Sequence, residues 1–512
     1  MSGYGNSGLP HSGGRKHSGG ETWLHGGVGD VDDVDPGLPL KLWPCSNGEY
    51  VPPRLDELRA EALRRARAVA DDHARRHGWS RRRFLLSSAG MASGLAVLQA
   101  CSDERSASEG TEQGGRFTVP ETAATDPEEA TTTIHGEATT TTMHGEPEAP
   151  AIVVDVQTHF LESGAWGTNF PQAACGAAAP IDCFSAEYWR DLVLAGSDTA
   201  VAVISAVPVV GEADPLSIDA MERGKALAAE LCGDDHVLIQ GHAVPDVGPL
   251  DAALAAMADV AATHDLCAWK VYTHSPGGWF LDDHDPDAPA VGAPFLQAVR
   301  DSGVPVVAVH KGLSGGNRFA SPVDIGPAAA ANPDLAFLVY HSGFEAGGAE
   351  GAFDPDGSGV DRLVRSVAEA GIGAGGNVYA ELGSTWRTVM GDPDQAAHVL
   401  GKLLVALGPE RILWGTDSIW YGSPQDQIAA FRTFEITPAY QEQFGYPALT
   451  PAVKERILGA NAVDLFGIVP PVTSCPPVEG FRGTNRTLGP VSRRDVAATF
   501  LREHPWIAAA VR

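Results

Sequence analysis

The sequence has few of the features that mark several common classes of protein. Basic residues are scarce, because 36 Lys and Arg stand against 65 Asp and Glu, which gives a net charge of −29. A chain with this charge is repelled by phosphate backbones and by anionic lipid surfaces, so we expect no nucleic-acid partner. No Gly-x-Gly-x-x-Gly motif follows the first predicted strand, which disfavours a dinucleotide-binding Rossmann domain.

Cysteine is also sparse and has no metal-binding spacing. The seven cysteines include no Cys-x-x-Cys pair, which argues against a zinc ribbon. Cys175 and Cys183 stand eight residues apart in a predicted loop. They could form a disulfide bond in an oxidising compartment or remain two free thiols, and the sequence leaves both alternatives open.

The uncharged run at residues 84–100 is too short and too polar for a membrane-spanning helix, since its seventeen residues include three Ser and two Gly. It follows the sequence SRRRFLL at residues 80–86 and ends in LQAC at residues 98–101. Together, residues 80–101 resemble a twin-arginine export signal that closes in a lipobox. The resemblance implies that the twin-arginine translocase exports the folded protein, and that a lipid on Cys101 anchors it outside the cytoplasmic membrane.

The segments on either side of this signal have compositions that disfavour a packed core. Residues 1–79 form a leader that is rich in Gly, Ser, His and Asp over residues 1–50, where we expect mostly disorder. The spacing of its apolar residues then predicts a solvated helix over 54–77. Residues 102–150 are rich in Thr, Glu and Ala and are interpreted as a low-complexity tether.

Strand-like and helix-like segments alternate from Ala151 onwards. The strand-like runs begin near Ala151, Thr199, His236, Leu266, Val304, Ala336, Asn377 and Arg411. Ala-rich helical segments lie between them, for example at 217–232, 248–264 and 359–371. Eight such repeats predict an α/β fold, a (β/α)8 TIM barrel over residues 151–468, with an open doubly wound sheet as the alternative.

The C-terminal part of the chain closes the predicted barrel and then leaves it. Residues 455–466 have the pattern of a closing helix. Residues 469–512 begin as a Pro-rich strap and end in a short helix, which we expect over 492–503.

Polar side chains follow the predicted strands at the points where they end. These positions carry amide, imidazole, ammonium and carboxylate groups: Gln157, His159, His242, Lys270, His310, His341, Glu381 and Asp417. On the first strand, Asp155, Gln157 and His159 alternate with other residues and therefore share one face. Because the carboxyl ends of barrel strands meet at one mouth, the sequence predicts a metal site there.

Five short motifs, in their order along the chain, resemble a known family. They are VDVQTHF at residues 154–160, VHKG at 309–312, VYHSG at 339–343, LWGTDS at 413–418 and NAVDLF at 461–466. They are similar to the amidohydrolase superfamily, and specifically to the amidohydrolase-2 group, which also includes aminocarboxymuconate-semialdehyde-type decarboxylases. The resemblance covers residues 152–468 and implies a metal-dependent (β/α)8 barrel.

The resemblance implies roles for the histidines and the aspartate of these motifs. His159, His310 and Asp417 would be metal ligands, and Zn²⁺ suits them best. His341 would be a second ligand or the catalytic acid or base, and Asp417 could also accept the proton of a bound water. The family has His-x-His on the first strand, whereas this chain has Gln157 at the first of the two positions. Since an amide oxygen is the weaker ligand, we expect lower metal affinity and a shift towards Mn²⁺ as an alternative.

Further rim positions are expected to bind the substrate. The candidates are Lys270, Glu381, Arg387 and Trp386. Lys270 would bind a substrate carboxylate or an internal acid, or it would be carboxylated and bridge two metals, as in binuclear relatives. His242 has no firm counterpart in the family. Loop packing is the alternative role for the looser candidates Glu345, Trp279, Trp420 and Tyr421.

The expected function is therefore metal-dependent hydrolysis of an ester, lactone or amide of a small organic substrate. One alternative is a nonoxidative decarboxylase or hydratase that uses the same site. Another is an exported binding protein on a barrel that has lost catalysis, which the replacement at Gln157 suggests. The sequence does not decide whether the chain forms a homo-oligomer.

Overall fold

The computed structural model describes residues 38–43, 46–50, 55–76, 78, 80–85, 87–119, 152–163, 180–275 and 277–478. Several sequence-based expectations lie outside these residues. They are the disorder of residues 1–37, the tether over residues 120–150, the pairing of Cys175 with Cys183, and the final helix at 492–503. These expectations stay predictions.

Eight parallel strands form a barrel in chain order. The strands of the described residues are β1 (Gly115–Phe117), β2 (Val154–Thr158), β3 (Val201–Ile204), β4 (Val237–Ala243), β5 (Leu266–Val271), β6 (Val306–His310), β7 (Ala336–Tyr340), β8 (Val378–Glu381), β9 (Ile412–Leu413) and β10 (Phe434–Ile436). Strands β2 to β9 are hydrogen-bonded in that order. The first and last meet through a bridge between Thr158 and Ser418 and a 3.0 Å bond from Val156 N–H to Trp414 O. The predicted TIM barrel is confirmed.

Helices follow most of the barrel strands, as the alternation of the sequence predicts. The helices are α1 (Glu57–Arg76), α2 (Arg81–Leu85), α3 (Ser88–Glu109), α4 (Ala186–Trp189), α5 (Ile218–Cys232), α6 (Leu250–Thr263), α7 (Gly292–Asp301), α8 (Ile325–Ala331), α9 (Val360–Glu369), α10 (Thr385–Val389), α11 (Pro393–Leu407), α12 (Gln425–Thr433), α13 (Pro438–Phe444), α14 (Pro451–Glu455) and α15 (Asn461–Phe466). Single π-helical segments occur at Arg190–Leu194 and at Arg456–Ala460. The second of these joins α14 to α15, so the predicted closing helix is continuous in space.

The barrel strands are rich in β-branched residues because they are covered on both faces. Every residue of β2, β3 and β6 is buried. This burial is typical of parallel sheets whose outer face is covered by helices. Buried side chains from six strands pack together in one cluster: Val154, Val156, Val201, Val203, Ala268, Val306, Ala308, Leu338, Tyr340 and Leu413.

The N-terminal part of the chain folds against the barrel, which corrects two expectations. Residues 38–43 and 46–50 are largely buried, although disorder is expected from their composition. Helix α3 runs through Cys101 to Glu109, and β1 pairs antiparallel with β10. The segment expected to be a tether from residue 102 therefore begins with ordered structure.

Ion pairs and apolar contacts hold this N-terminal part in place. Helix α1 packs on α3 and buries a face of alanines and leucines, so it is not the solvated helix that the seven arginines of residues 54–77 suggest. Arg105 of α3 forms ion pairs with Asp392 and Asp394 at the start of α11, at 3.2 and 2.9 Å. Arg59 of α1 donates to Thr388 O at 2.7 Å. Long-range partners such as these cannot be read from local composition.

A disulfide bond joins two cysteines for which no pairing is predicted. Cys232 at the end of α5 bonds to Cys475 in the C-terminal strap, 243 residues away. The bond fixes the described start of the strap to the barrel. Among the described helices, none combines the length and the apolar composition needed to cross a membrane.

Candidate metal centre

The predicted rim residues do converge at the carboxyl ends of the strands. Gln157 and His159 lie at the end of β2, His310 at the end of β6, His341 directly after β7 and Asp417 shortly after β9. Each of these five side chains is buried, with at most 2% of its surface exposed. The structure therefore places imidazole, amide and carboxylate groups together in a nearly dry mouth.

One half of the mouth is a cluster around Asp417. His159 Nε2 lies 3.1 Å from Asp417 Oδ1, and the Gln157 amide donates to the same oxygen at 3.1 Å. The His159 Nδ1 atom lies 2.6 Å from Ser205 O, which places its proton there and directs Nε2 into the mouth. Burial would raise the pKa of Asp417, but its interactions with His159 and His341 and its hydrogen bond with Ser384 outweigh burial and keep that pKa below its usual value.

The other half of the mouth is formed by His310, His341 and a residue from the leader, Glu49. His310 Nε2 is 3.1 Å from Glu49 Oε1, and His341 Nε2 is 3.6 Å from Glu49 Oε2. The His341 Nδ1 atom bonds to Gly383 O at 2.8 Å, so its Nε2 also points into the mouth. These three residues offer ligand atoms that all lie within 4.8 Å of one another.

The residues present fit a divalent cation. Within the described part of the chain, Nε2 of His310 and of His341 and Oε1 of Gln157 are buried and make no hydrogen bond of normal geometry, although the Glu49 oxygens lie 3.1 and 3.6 Å from the two imidazole nitrogens. Burial lowers the pKa of His341 to about 4 and holds the pKa of His310 well below its usual value, so both rings are neutral, as metal ligands must be. The predicted set of His159, His310 and Asp417 shares the mouth, but the tightest group replaces His159 and Asp417 with Glu49 and His341.

Two of the predicted substrate-binding residues, Lys270 and Glu381, lie beside the candidate metal ligands but have different surroundings. Lys270 Nζ sits 3.6 Å from the centre of the Tyr340 ring and 4.6 Å from that of Tyr272. Burial lowers the pKa of Lys270 to about 7. Glu381 instead accepts the N–H of His341 at 3.0 Å, and burial raises its pKa to about 8. Glu381 therefore holds the backbone of the rim, and its expected substrate-binding role stays a prediction.

The remaining predicted residues are not at the cavity. Trp386 is 1% exposed and donates its indole N–H to Gln427 O at 2.9 Å, among phenylalanines of α12 and β10. Its position in the core corrects the expected substrate contact. Arg387 donates to Trp43 O of the N-terminal segment at 3.1 Å. His242 lies 3.6 Å from Asp214.

The cavity at the mouth is small and includes residues for which no role is predicted. Its volume is about 10 Å³, and its lining is Asn47, Glu49, Gln157, His159, Val207, Pro208, Tyr272, Asp417 and Trp420. His274, whose ring centre is 4.7 Å from that of His310, is also missing from the prediction. Its place three residues after β5 is a signal that could have identified it. Nothing in the leader's composition marks Asn47 or Glu49.

Four rim residues other than glycine have backbone angles in the left-handed region. His341, Ser342, Ser384 and Asp417 have φ values of 65°, 53°, 57° and 58°. Such angles are unfavourable for residues with a β-carbon and concentrate at functional sites. Ser384 bonds to Asp417 and, at 2.5 Å, to Tyr421, so two of the four residues hold each other in place.

The family model described as Amidohydrolase matches residues 154–468. An uncharacterized TIM-barrel protein from Bordetella bronchiseptica is 14% identical to this chain, with 62% of this chain and 98% of that chain covered and a TM-score of 0.41. A 2,6-dihydroxybenzoate decarboxylase is 16% identical, with 62% of this chain and 98% of that chain covered and a TM-score of 0.35. A dihydroorotase from Campylobacter jejuni is 13% identical, with 62% of this chain and 84% of that chain covered and a TM-score of 0.35. No curated protein matches the chain.

Proposed function

Because the chain belongs to the amidohydrolase family over residues 154–468, we propose that it hydrolyses an ester, lactone or amide of a small organic molecule in a metal-dependent reaction. The observation that carries this proposal is the donor set at the mouth. Two neutral imidazoles, His310 and His341, direct Nε2 atoms without hydrogen-bond partners among the described residues towards the rim that also holds Asp417.

His159, His310 and Asp417 would hold the ion, with Gln157 as a weaker ligand, and Zn²⁺ or alternatively Mn²⁺ suits this set. A divalent ion supplies Lewis acidity that polarises a carbonyl and makes water more acidic. The neighbours of Asp417 keep its pKa below the usual value, so its carboxylate is ionised and can accept a proton from the attacking water. His341 is neutral near pH 7, so its Nε2 can take up a proton and return it to the leaving group.

Nonoxidative decarboxylation or hydration is the second candidate, and one observation favours it. A carboxylate, that of Glu49, lies beside His310 and His341, and its charge acts on the ammonium of Lys270. A mouth that accepts one carboxylate could orient that of a substrate, and His341 would then deliver a proton to carbon.

The first experiment measures the metal content of the full chain by elemental analysis after equilibration with Zn²⁺ or Mn²⁺. We expect about one ion per folded chain, lost in His310→Ala and in Asp417→Ala. His264→Ala removes an imidazole that is paired with Glu222 away from the mouth, and it serves as the matched control. Folded wild-type protein that takes up neither metal would overturn the proposal in favour of a non-catalytic binding protein.

The second experiment separates the two reactions. The metal-loaded chain is incubated with a panel of lactones and aryl carboxylates, and both ring opening and CO2 release are measured. Ring opening that disappears in His310→Ala supports hydrolysis. CO2 release without ring opening supports the decarboxylase.

A further inference from the structure

Residues 46–50 of the leader lie inside the barrel mouth. Asn47 is 2% exposed, and its amide donates to Asp417 Oδ2 at 2.8 Å and to Glu49 Oε2 at 2.6 Å. Tyr50 O–H lies 3.1 Å from the hydroxyl of Tyr421. The segment therefore contacts both halves of the candidate metal centre through polar side chains, which an accidental surface contact would not do.

A buried ion pair holds the chain a few residues before this segment. Lys41 Nζ lies 2.9 Å from Asp426 Oδ1, its backbone N–H bonds to Asp426 Oδ2 at 3.0 Å, and its ammonium also donates to Ser423 O. Both charged side chains are almost completely removed from solvent. Since charges are buried in this way only when they are paired, the chain at Lys41 is fixed to the barrel as well.

The position of the Glu49 carboxylate matches that of a ligand. Its two oxygens face His310 and His341, whose Nε2 atoms have no hydrogen-bond partner elsewhere among the described residues. Asn47 holds the carboxylate from the other side through its amide, and Glu49 N–H bonds back to Asn47 Oδ1 at 2.9 Å. The arrangement presents a single carboxylate to the mouth on a short, internally bonded loop.

We propose that residues 46–50 are an intramolecular ligand of the active site, and that Glu49 occupies the place of a small-molecule carboxylate, with which it competes. The proposal rests on the proposed function, because it identifies the ligand class of the same site. The remaining cavity of about 10 Å³ has room for about one water molecule and not for an organic substrate. The segment must therefore leave before a substrate enters.

Calorimetric titration of the full chain with sodium benzoate tests this competition. Glu49→Gln removes the charge of the internal competitor and keeps its shape, so we expect benzoate to bind at least about tenfold more tightly than to the wild type. The double variant Asn47→Ala, Glu49→Ala should bind it at least as tightly as Glu49→Gln. Glu57→Gln, at an exposed position in the first turn of α1, is the matched control and should bind as the wild type does.

The metal content of the same samples separates the outcomes. If Glu49→Gln loses an ion that the wild type holds, Glu49 is a metal ligand and the competition is refuted. Equal benzoate affinity in the wild type and both variants, at equal metal content, also refutes it. If no sample holds metal, the proposed function fails, while the ratio of benzoate affinities still tests the competition.

Hydrogen exchange tests the same competition on the wild-type chain, without any substitution. Saturating benzoate should speed the exchange of backbone amides in residues 46–50, because the segment is displaced, and should leave β6 and β7 protected. Unchanged or slower exchange in residues 46–50 with bound benzoate would show that the segment and the ligand do not compete.

Discussion

At Gly415 the backbone passes so close to Glu381 that no side chain fits between them. A β-carbon built on Gly415 would lie 1.8 Å from Glu381 Oε1. Glu381 in turn accepts the N–H of His341, whose ring belongs to the candidate metal centre. The glycine of the LWGTDS motif therefore affects the metal centre indirectly, through the carboxyl group that holds the His341 backbone.

We expect Gly415→Ala to lower the free energy of unfolding by about 1–3 kcal/mol, because Glu381 must move in an overpacked core. Displacement of His341 should also weaken metal binding. Urea unfolding and metal titration measure the two effects. Gly373→Ala is the control, since a β-carbon there meets nothing within 4 Å. Equal stability of the two variants would contradict the expectation.

His398 predicts a pH dependence of stability that has nothing to do with the active site. Its ring is 7% exposed, with Nδ1 2.9 Å from the hydroxyl of Tyr446, and burial lowers its pKa to about 4. As the pH falls from about 6.5 to about 4, His398 becomes protonated in the unfolded chain but stays neutral in the folded chain. Stability is therefore full above pH 6.5 and falls below it.

The size of this effect should be about 1–3 kcal/mol between pH 7 and pH 4. His398→Gln should lose that part of the slope, as measured by urea unfolding at a series of pH values. His284→Gln, which removes a more exposed imidazole, should keep the wild-type slope. An unchanged slope in His398→Gln would show that this ring does not control the acid sensitivity.

At the level of structural elements, one disulfide bond ties the described start of the C-terminal strap to the barrel. The Cys232–Cys475 disulfide links α5 to the strap across 243 residues of chain. Closing so long a loop restricts the unfolded chain, so we expect Cys475→Ser to lower the free energy of unfolding by about 2–4 kcal/mol. The double variant Cys232→Ser, Cys475→Ser should be no less stable than the single one, because both lack the same bond. A double variant that is clearly less stable than Cys475→Ser would contradict this expectation.

Helix α3 combines a structural role with the predicted export signal. Cys101 lies in its middle, is 5% exposed, and has a thiol whose pKa is raised by burial. Gln99, two residues before Cys101, accepts the backbone N–H of Phe117 at 2.6 Å through its side-chain oxygen. Lipidation of Cys101 therefore requires that this helix unpack or that the reaction precede its docking on the barrel.

For the whole molecule, we propose that the chain is exported by the twin-arginine translocase and anchored through Cys101. The sequences SRRRFLL and LQAC support this proposal. Cleavage before Cys101 would also remove Glu49, so export and opening of the active site would be one event. The occupied mouth described above then belongs to the uncleaved chain.

Cell fractionation tests the export proposal. We expect the wild type outside the cytoplasmic membrane and bound to it, Cys101→Ser released from it, and Arg82→Lys, Arg83→Lys retained in the cytoplasm. Arg75→Lys, Arg76→Lys is the control, since these residues lie on α1 outside the signal. Identical distribution of all four chains would contradict both the signal and the anchor.

Much of the fold could be predicted because its signals are local. The eight strands begin within a few residues of the predicted positions, since β-branched runs separated by helical periods need only neighbouring residues to be recognised. The convergence of His159, His310, His341 and Asp417 follows from the same pattern, because all parallel strands of a barrel end at one rim. Lys270 and Gln157 are brought there for the same reason.

Other features required the tertiary structure. Glu381 ends β8 and Trp386 follows it, as rim residues should. The Trp386 side chain nevertheless lies in the core and the Glu381 carboxyl group binds backbone N–H groups, because both depend on partners outside their own segment. The pairing of Cys232 with Cys475 and the placing of Glu49 beside His310 join residues more than 240 positions apart. The sequence by itself determined the barrel and the types of group at its mouth, because both follow from short-range periodicity. Only the folded chain decided which groups touch, because those contacts depend on how distant segments pack together.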